Sequence, residues 1–205
     1  MPAGKLILVM GGARSGKSRV AERMAAYLGK RVLYVATAEI KDEEMAERVR
    51  RHREQRPSGW DTLEEPLQLA RALREHGEKY DVILVDCLTL FVTNLMLQSS
   101  GEEWEKEVPG AIEDFVRTAR EVGAHVIVVS NETGLGVVPE SPLARSFRDL
   151  SGWANQVVAR AADYVYFCVA GCPVDVKKLS RESFADNFWA GFNPFPALRD
   201  MEDEK

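Results

Sequence analysis

The sequence predicts an α/β protein, a mostly parallel sheet flanked by helices with a phosphate loop (P-loop) after its first strand. Three observations carry this reading. Five short apolar runs are rich in β-branched residues and do not alternate with polar ones, the pattern of strands covered on both faces. Amphipathic stretches of helical length separate them, which calls for right-handed crossovers between parallel strands. The first run ends in a glycine-rich segment of fixed spacing that opens a helix.

The strands are expected in order at Leu6–Met10, closed by Gly11-Gly12; at Val32–Ala36; at Val82–Val85, closed by Asp86; at Val126–Val129, followed by Ser130-Asn131; and at Tyr164–Val169, ending near Gly171. The helices are expected at Ser18–Leu28, Lys41–Gln55, Pro66–His76, Trp104–Val122 and Pro142–Ala162. In the second helix acids crowd the start and bases the end, the order that suits the helix dipole, and Pro57 stops it. Residues 1–179 form one domain on this reading. Residues 180–205 form an extension with five aromatics (Phe184, Phe188, Trp189, Phe192, Phe195) and an acidic end. Disordered tails are poor in aromatics, so this segment is expected to pack, on its own domain or on a neighbouring subunit.

Composition bounds the function. A chain of 205 residues, 45% hydrophobic and 29% charged, can bury a core without disulfides or a structural metal. The net charge of −5 argues against a general nucleic-acid binder. No apolar run is long enough for a membrane span, and the N-terminus lacks a signal peptide's apolar region. Cys87, Cys168 and Cys172 show no close-spaced pair and read as reduced thiols, two of them in buried strands, in a cytoplasmic protein.

The segment Gly11-Gly12-Ala13-Arg14-Ser15-Gly16-Lys17-Ser18 fits G-x-x-x-x-G-K-[ST] between a strand and a helix. Its glycines let backbone N–H groups turn inward on an anion, and the helix dipole adds to the field. Lys17 reaches the β- and γ-phosphates of a nucleoside triphosphate, and the Ser18 hydroxyl is a Mg²⁺ ligand. Asp86, at the end of the third strand, is the acid that orients Mg²⁺ or its water; its bland alternative is a cap for the next segment.

Residues 48–56 hold five arginines and one glutamate, +4 within a protein of −5. Met45, Val49 and His52 share one helix face. The segment reads either as a solvated, salt-bridged helix or as a grip on nucleotide phosphates. In the second case the surrounding cations favour a neutral, nucleophilic His52, able to attack phosphorus and form a covalent intermediate. His76, in the last turn of a helix, and His125, at the start of a strand, read as structural. The Asn131–Val138 loop reads as a substrate contact or gate, or as a plain turn.

Several segments together resemble the bifunctional adenosylcobinamide kinase/adenosylcobinamide-phosphate guanylyltransferases of cobalamin synthesis. They are G-G-A-R-S-G-K-S, Tyr34-Val35-Ala36-Thr37-Ala38, Arg48-Val49-Arg50-Arg51-His52-Arg53 with Arg56-Pro57, and Trp60 with Glu64-Glu65-Pro66. Further on are Asp86-Cys87-Leu88-Thr89, Thr93-Asn94-Leu95, the run from Ser130 to Pro139, Phe147-Arg148-Asp149-Leu150 and Asn155-Gln156. The resemblance implies a RecA-like fold and two reactions. A nucleoside triphosphate, ATP or GTP, phosphorylates adenosylcobinamide; GTP then transfers GMP to that phosphate, releasing pyrophosphate, through a guanylylated histidine. It implies that histidine is His52. It also implies that Gly11–Ser18 hold the triphosphate, that Ala36, Thr37 and Ala38 lie along the nucleotide, and that Arg53, Glu54, Gln55 and Arg56 meet its phosphates. Glu64 and Asp86 complete the guanine-nucleotide site. The resemblance further implies a corrinoid partner and a homo-oligomer, a trimer. Some relatives have glutamate in place of Asp86, and some have paired histidines where this chain has Arg51-His52. The other readings are a P-loop kinase of another small alcohol and a non-catalytic nucleotide-switch module.

Overall fold

A computed structural model describes residues 4–39, 43, 47, 50, 57, 59–101 and 103–183. Seven strands form one sheet: β1 (Leu6–Gly11), β2 (Val32–Ala36), β3 (Asp61–Glu64), β4 (Val82–Asp86), β5 (His125–Asn131), β6 (Tyr164–Val169) and β7 (Cys172–Asp175). Their spatial order is β3-β2-β4-β5-β1-β6-β7. All neighbours run parallel except β7, which returns antiparallel to β6. The helices are α1 (Lys17–Leu28), α2 (Leu69–His76), α3 (Leu88–Gln98), α4 (Trp104–Glu121), α5 (Pro142–Ala161) and α6 (Val176–Ser183).

The unalternating runs are buried on both faces, as their composition requires. Leu6, Leu8, Val126 and Val128 face a core shared with Phe91, Ile112, Phe115 and Val158. Ile7, Val9, Ile127 and Val129 face the opposite side, where Ala21 and Ala25 bring α1 close to the sheet. The five long strands and four of the expected helices therefore stand where periodicity places them, within a few residues. The helix expected over 41–55 lies largely outside the described residues, although 43, 47 and 50 are helical.

Four elements were not expected. β3 (DTLE) and β7 (CPVD) have no apolar run because each is an edge strand. Pro173 is tolerated at such an edge. Helix α3 (LTLFVTNLMLQ) has no polar face because it is enclosed by the sheet, α4 and α5, so helical periodicity is absent from its sequence. Helix α6 carries regular structure past position 180, where the extension was expected to begin; residues 184–205 lie outside the described residues.

Two corrections concern boundaries and thiols. Helix α2 starts at Leu69, not Pro66, because the Glu65 carboxylate takes the N–H groups of Leu67 and Gln68 at 3.0 and 2.9 Å and holds a turn there. Cys87 is buried but follows β4 as the N-cap of α3, and Cys172 is exposed, so only Cys168 is a buried strand thiol.

Candidate active site

Parallel strands carry all their C-terminal ends to one edge, and those predicted site residues that are described stand along it. Ladder register aligns Ala36 with Glu64 on one side and with Asp86 on the other. It aligns Asp86 with Val129, and Asn131 with Gly11. The loop-bearing strand β1 and the acid-bearing strand β4 are thus separated by β5 alone, about 10 Å at the usual strand spacing.

The loop after β1 is built for an anion. Gly16 is left-handed (φ 88°) and packs against Gly171, whose Cα lies 3.0 Å from where a Cβ on Gly16 would stand. The Gly171 N–H donates to the Ser15 carbonyl at 2.8 Å, so the β6–β7 turn braces the loop. Arg14 also takes a left-handed φ, of 56°. The Ser15 N–H donates to the Gly12 carbonyl, closing a turn, and Lys17 Nζ reaches back to the same oxygen at 3.1 Å. Helix α1 has no side-chain cap and no acidic residue in its first turn, so its N–H groups and its positive end are left to a ligand. Among the described residues the buried Ser15 Oγ has no hydrogen-bond partner. An oxygen-rich ligand with negative charge fits this cradle.

Asp86 is half-buried and accepts a hydrogen bond from the Tyr34 hydroxyl at 2.7 Å. Thr37 is fully buried, and its hydroxyl is committed to Cys87, accepting from the N–H at 2.7 Å and donating to the C=O at 2.8 Å. Its N–H donates to the Asp86 carbonyl at 3.1 Å, and Asn94 holds its carbonyl at 2.8 Å. Thr37 therefore fixes the end of β4. Ala36 is buried, Ala38 half-buried and Glu64 exposed at the same edge. Burial and the neighbouring Asp86 charge push the Cys87 thiol up to about 12, so it stays protonated.

The structure thus brings together Gly11, Gly12, Ala13, Arg14, Ser15, Gly16, Lys17 and Ser18 with Ala36, Thr37, Ala38, Glu64 and Asp86. His52, Arg53, Glu54, Gln55 and Arg56 lie outside the described residues. His125 begins β5 at the far edge of the sheet and accepts the Lys5 N–H at 3.0 Å; His76 ends α2 beside Tyr80. Neither is part of the site. In the loop after β5, Leu135, Val137 and Val138 are exposed.

Sequence reasoning gave no role to Tyr34, Thr89, Ser130 or Asn155. Their signal in the sequence was their place in the segments that carry the family resemblance. Mg²⁺ prefers oxygen ligands and keeps several waters, and the Ser18 hydroxyl and the Asp86 carboxylate are oxygen donors that would suit it beside a ligand's phosphates. Among the described residues no group of three or more His, Cys, Asp or Glu side chains converges as a metal site, which a metal held mainly by phosphates and water does not need.

A sequence model of the family "Cobinamide kinase / cobinamide phosphate guanyltransferase" matches residues 7–176. The bifunctional adenosylcobalamin biosynthesis protein CobP of Pseudomonas aeruginosa is 48% identical over 170 residues, covering 83% of this chain and 96% of that protein. The bifunctional adenosylcobalamin biosynthesis proteins CobU of Escherichia coli and of Salmonella typhimurium are each 41% identical over 181 residues, 84% of this chain and 99% of theirs. Among solved structures, the RadB recombinase superposes with a TM-score of 0.43 at 14% identity, over 80% of this chain and 74% of that one.

Proposed function

The chain belongs to the cobinamide kinase / cobinamide phosphate guanyltransferase family, and from that membership we propose the course of both reactions and the residues that carry them. The observation that carries the reading is the convergence of the 11–18 loop, Thr37 and Asp86 at one sheet edge. The R-V-R-R-H-R segment supplies the one feature that an ordinary kinase does not need.

In the first reaction the loop N–H groups and Lys17 hold the β- and γ-phosphates of a nucleoside triphosphate. The hydroxyl of adenosylcobinamide attacks the γ-phosphorus, the β–γ bridging bond breaks, and the nucleoside diphosphate leaves. In the second reaction GTP occupies the same loop. The imidazole of His52 attacks the α-phosphorus and pyrophosphate departs, its charge held by Lys17 and by arginines 53 and 56. The phosphate oxygen of the corrinoid then attacks the guanylylated histidine, forming the new phosphoanhydride and freeing the imidazole. Ser18 and Asp86 would hold Mg²⁺, which would supply charge stabilisation to the phosphates. Tyr34 orients Asp86, and Thr37 anchors the strand end on which Asp86 stands. Glu54 and Gln55 meet the nucleotide's phosphates beside those arginines, and Glu64 completes the guanine-nucleotide site with Asp86.

The assembly we propose is a homo-oligomer, a trimer, in the cytoplasm. Exposed Leu97, Leu135, Val137, Val138 and Leu143 support an apolar contact surface. Among the described residues no helix is long and apolar enough to cross a membrane.

The test uses Mg²⁺ and GTP labelled at the α-phosphate. Label that is acid-labile and base-stable is expected on the wild-type protein and absent from His52→Ala. An unlabelled wild type removes the guanylyl-histidine route; label on His52→Ala removes the assignment of that residue.

A further inference from the structure

Side chains from two helices meet at the end of β5 and set the level of those helices against the sheet. The Asn131 N–H donates to Thr89 Oγ1 of α3 at 2.8 Å, and the Asn131 carbonyl accepts from Asn155 Nδ2 of α5 at 3.1 Å. Ser130 Oγ closes the ring, 2.6 Å from Asn155 Oδ1 and 3.3 Å from Thr89 Oγ1. Asn131 is the last residue of β5, in register with Gly11 at the start of the phosphate loop. Helix α5 runs from the loop after β5 towards the start of β6 at the opposite edge, so its turns before Asn155 stand beyond the strand ends. Helix α3 passes the same edge beside it. Between the two lies a groove of about 260 Å³, lined chiefly by Thr93, Met96 and Leu97 of α3 and by Leu143, Ala144 and Phe147 of α5. The Thr93 hydroxyl is committed to the Thr89 carbonyl at 3.0 Å, so the groove is apolar in character.

Arg148 stands next to this groove, one residue after Phe147. Seven residues make two helical turns to within about 20°, so Arg148 lies on the same side of α5 as Asn155, about 10 Å farther from the sheet. That side is the one that meets the strand end beside the phosphate loop. The Arg148 side chain is only 20% exposed. Among the described residues its one ion-pair partner is the neighbouring Asp149, at 3.2 Å, whose side chain is 71% exposed. Adjacent residues on a helix do not face each other, and a pair with so exposed a partner contributes little. A largely enclosed guanidinium so loosely held suits a stronger anion, and its planar fork fits a phosphate.

We propose that the α3–α5 groove and Arg148 together seat the acceptor: the groove takes an apolar edge of the corrinoid, and Arg148 holds the phosphomonoester that the first reaction creates and the second consumes. This rests on the two-reaction sequence proposed above and adds to it a cation outside the 11–18 loop. Between the reactions the loop must release a nucleoside diphosphate and take up GTP. A phosphate held by Arg148 stays in place during that exchange. A corrinoid phosphate matches both features at once, an apolar body for the groove and a charge of about −1.5 to −2 for the arginine. The groove is too small to enclose a corrinoid, so the ring lies across the strand ends with one edge inserted.

The test measures equilibrium binding of adenosylcobinamide phosphate and of adenosylcobinamide by dialysis, read by corrinoid absorbance, with no nucleotide present. Arg148→Gln is expected to weaken the phosphate by about 10–100-fold and the alcohol by less than about twofold. Arg148→Lys, which keeps the charge and loses the fork, shows a smaller split. Leu97 and Leu143, at the rim, are 62% and 56% exposed, so their joint replacement by serine spares the core; it weakens both corrinoids alike, by about tenfold. Wild-type binding of the phosphate in Arg148→Gln overturns the proposal, and so does an equal loss of both corrinoids in that variant. A rim variant that changes the mass of the assembly and leaves corrinoid binding intact gives the groove to a second copy of the chain and also overturns it. A wild type that binds neither corrinoid removes the reaction assignment and this seat with it; binding by wild type and by every variant alike removes the seat alone.

Discussion

Thr37 shows what one buried hydroxyl contributes at the scale of a residue. As both donor and acceptor it satisfies the two backbone groups of Cys87 at the point where β4 stops and α3 begins. A buried polar group left without a partner there would cost about 1–3 kcal/mol. The thiol beside it is as constrained as the backbone. Because Cys87 is buried and its ionisation is pushed up to about 12, it has almost no thiolate at neutral pH. Cys172 is exposed. Brief treatment with iodoacetamide at pH 7.5 is therefore expected to modify Cys172 and spare Cys87, as read by peptide mass spectrometry; early modification of Cys87 would show that its burial is wrong. The residues of the phosphate loop were legible in the sequence because eight consecutive positions carry their whole pattern. Tyr34 and Asn155 were not, because their partners Asp86 and Ser130 are 52 and 25 positions away.

Between elements, the contacts that set register are polar at the rims and apolar within. At the rim, Asp81 ties the start of β4 to the turn before β2. It accepts from the Arg31 guanidinium at 2.7 and 3.1 Å and from the N–H groups of Lys30 and Arg31. The Arg31 hydrogen bonds are the largest cause holding this carboxyl at about 2, below its ordinary 3.8. A depressed carboxyl stabilises the fold fully above its unfolded value and loses that contribution as pH falls through its folded one. Asp81→Asn is thus expected to lower the melting temperature at pH 6, and the gap from wild type should close as pH falls from about 4 towards 2. A gap that persists at pH 2 would mean that charge is not what matters at this position. In the interior, Phe115 of α4 is fully buried against Phe91 of α3, ring centroids 6.5 Å apart. Phe115→Ala removes this packing and is expected to cost about 3–5 kcal/mol in urea denaturation. A loss below about 1 kcal/mol would show that α4 is not part of the main core. Periodicity located α4, whose outer face is wet, and could not locate α3, whose sequence has no polar face.

At the scale of the whole molecule, six parallel strands deliver their C-terminal ends to one edge, and the chemistry is assembled from loops far apart in sequence. The family match ends at residue 176, and the relatives match 83–84% of this chain over 96–99% of their own lengths. A chain ended after Ser183 is accordingly expected to keep its capacity to be labelled by α-labelled GTP. Loss of labelling with an unchanged circular dichroism spectrum would give residues 184–205 a part in the reaction. That final segment holds three bases and six acids, counted from Ser180, so the remaining 179 residues carry −2 of the total −5. The +4 of residues 48–56 stands out against that nearly neutral body. The sequence by itself determined the strand and helix alternation, the phosphate-loop pattern and the family, because each is written in contiguous residues or in a period that local physics enforces. Only the tertiary structure decided the strand order, the enclosed helix α3, the two edge strands and the ring of hydrogen bonds around Asn131. These depend on which distant segments meet, and a buried polar group's partner is chosen by that meeting rather than by its neighbours in the chain.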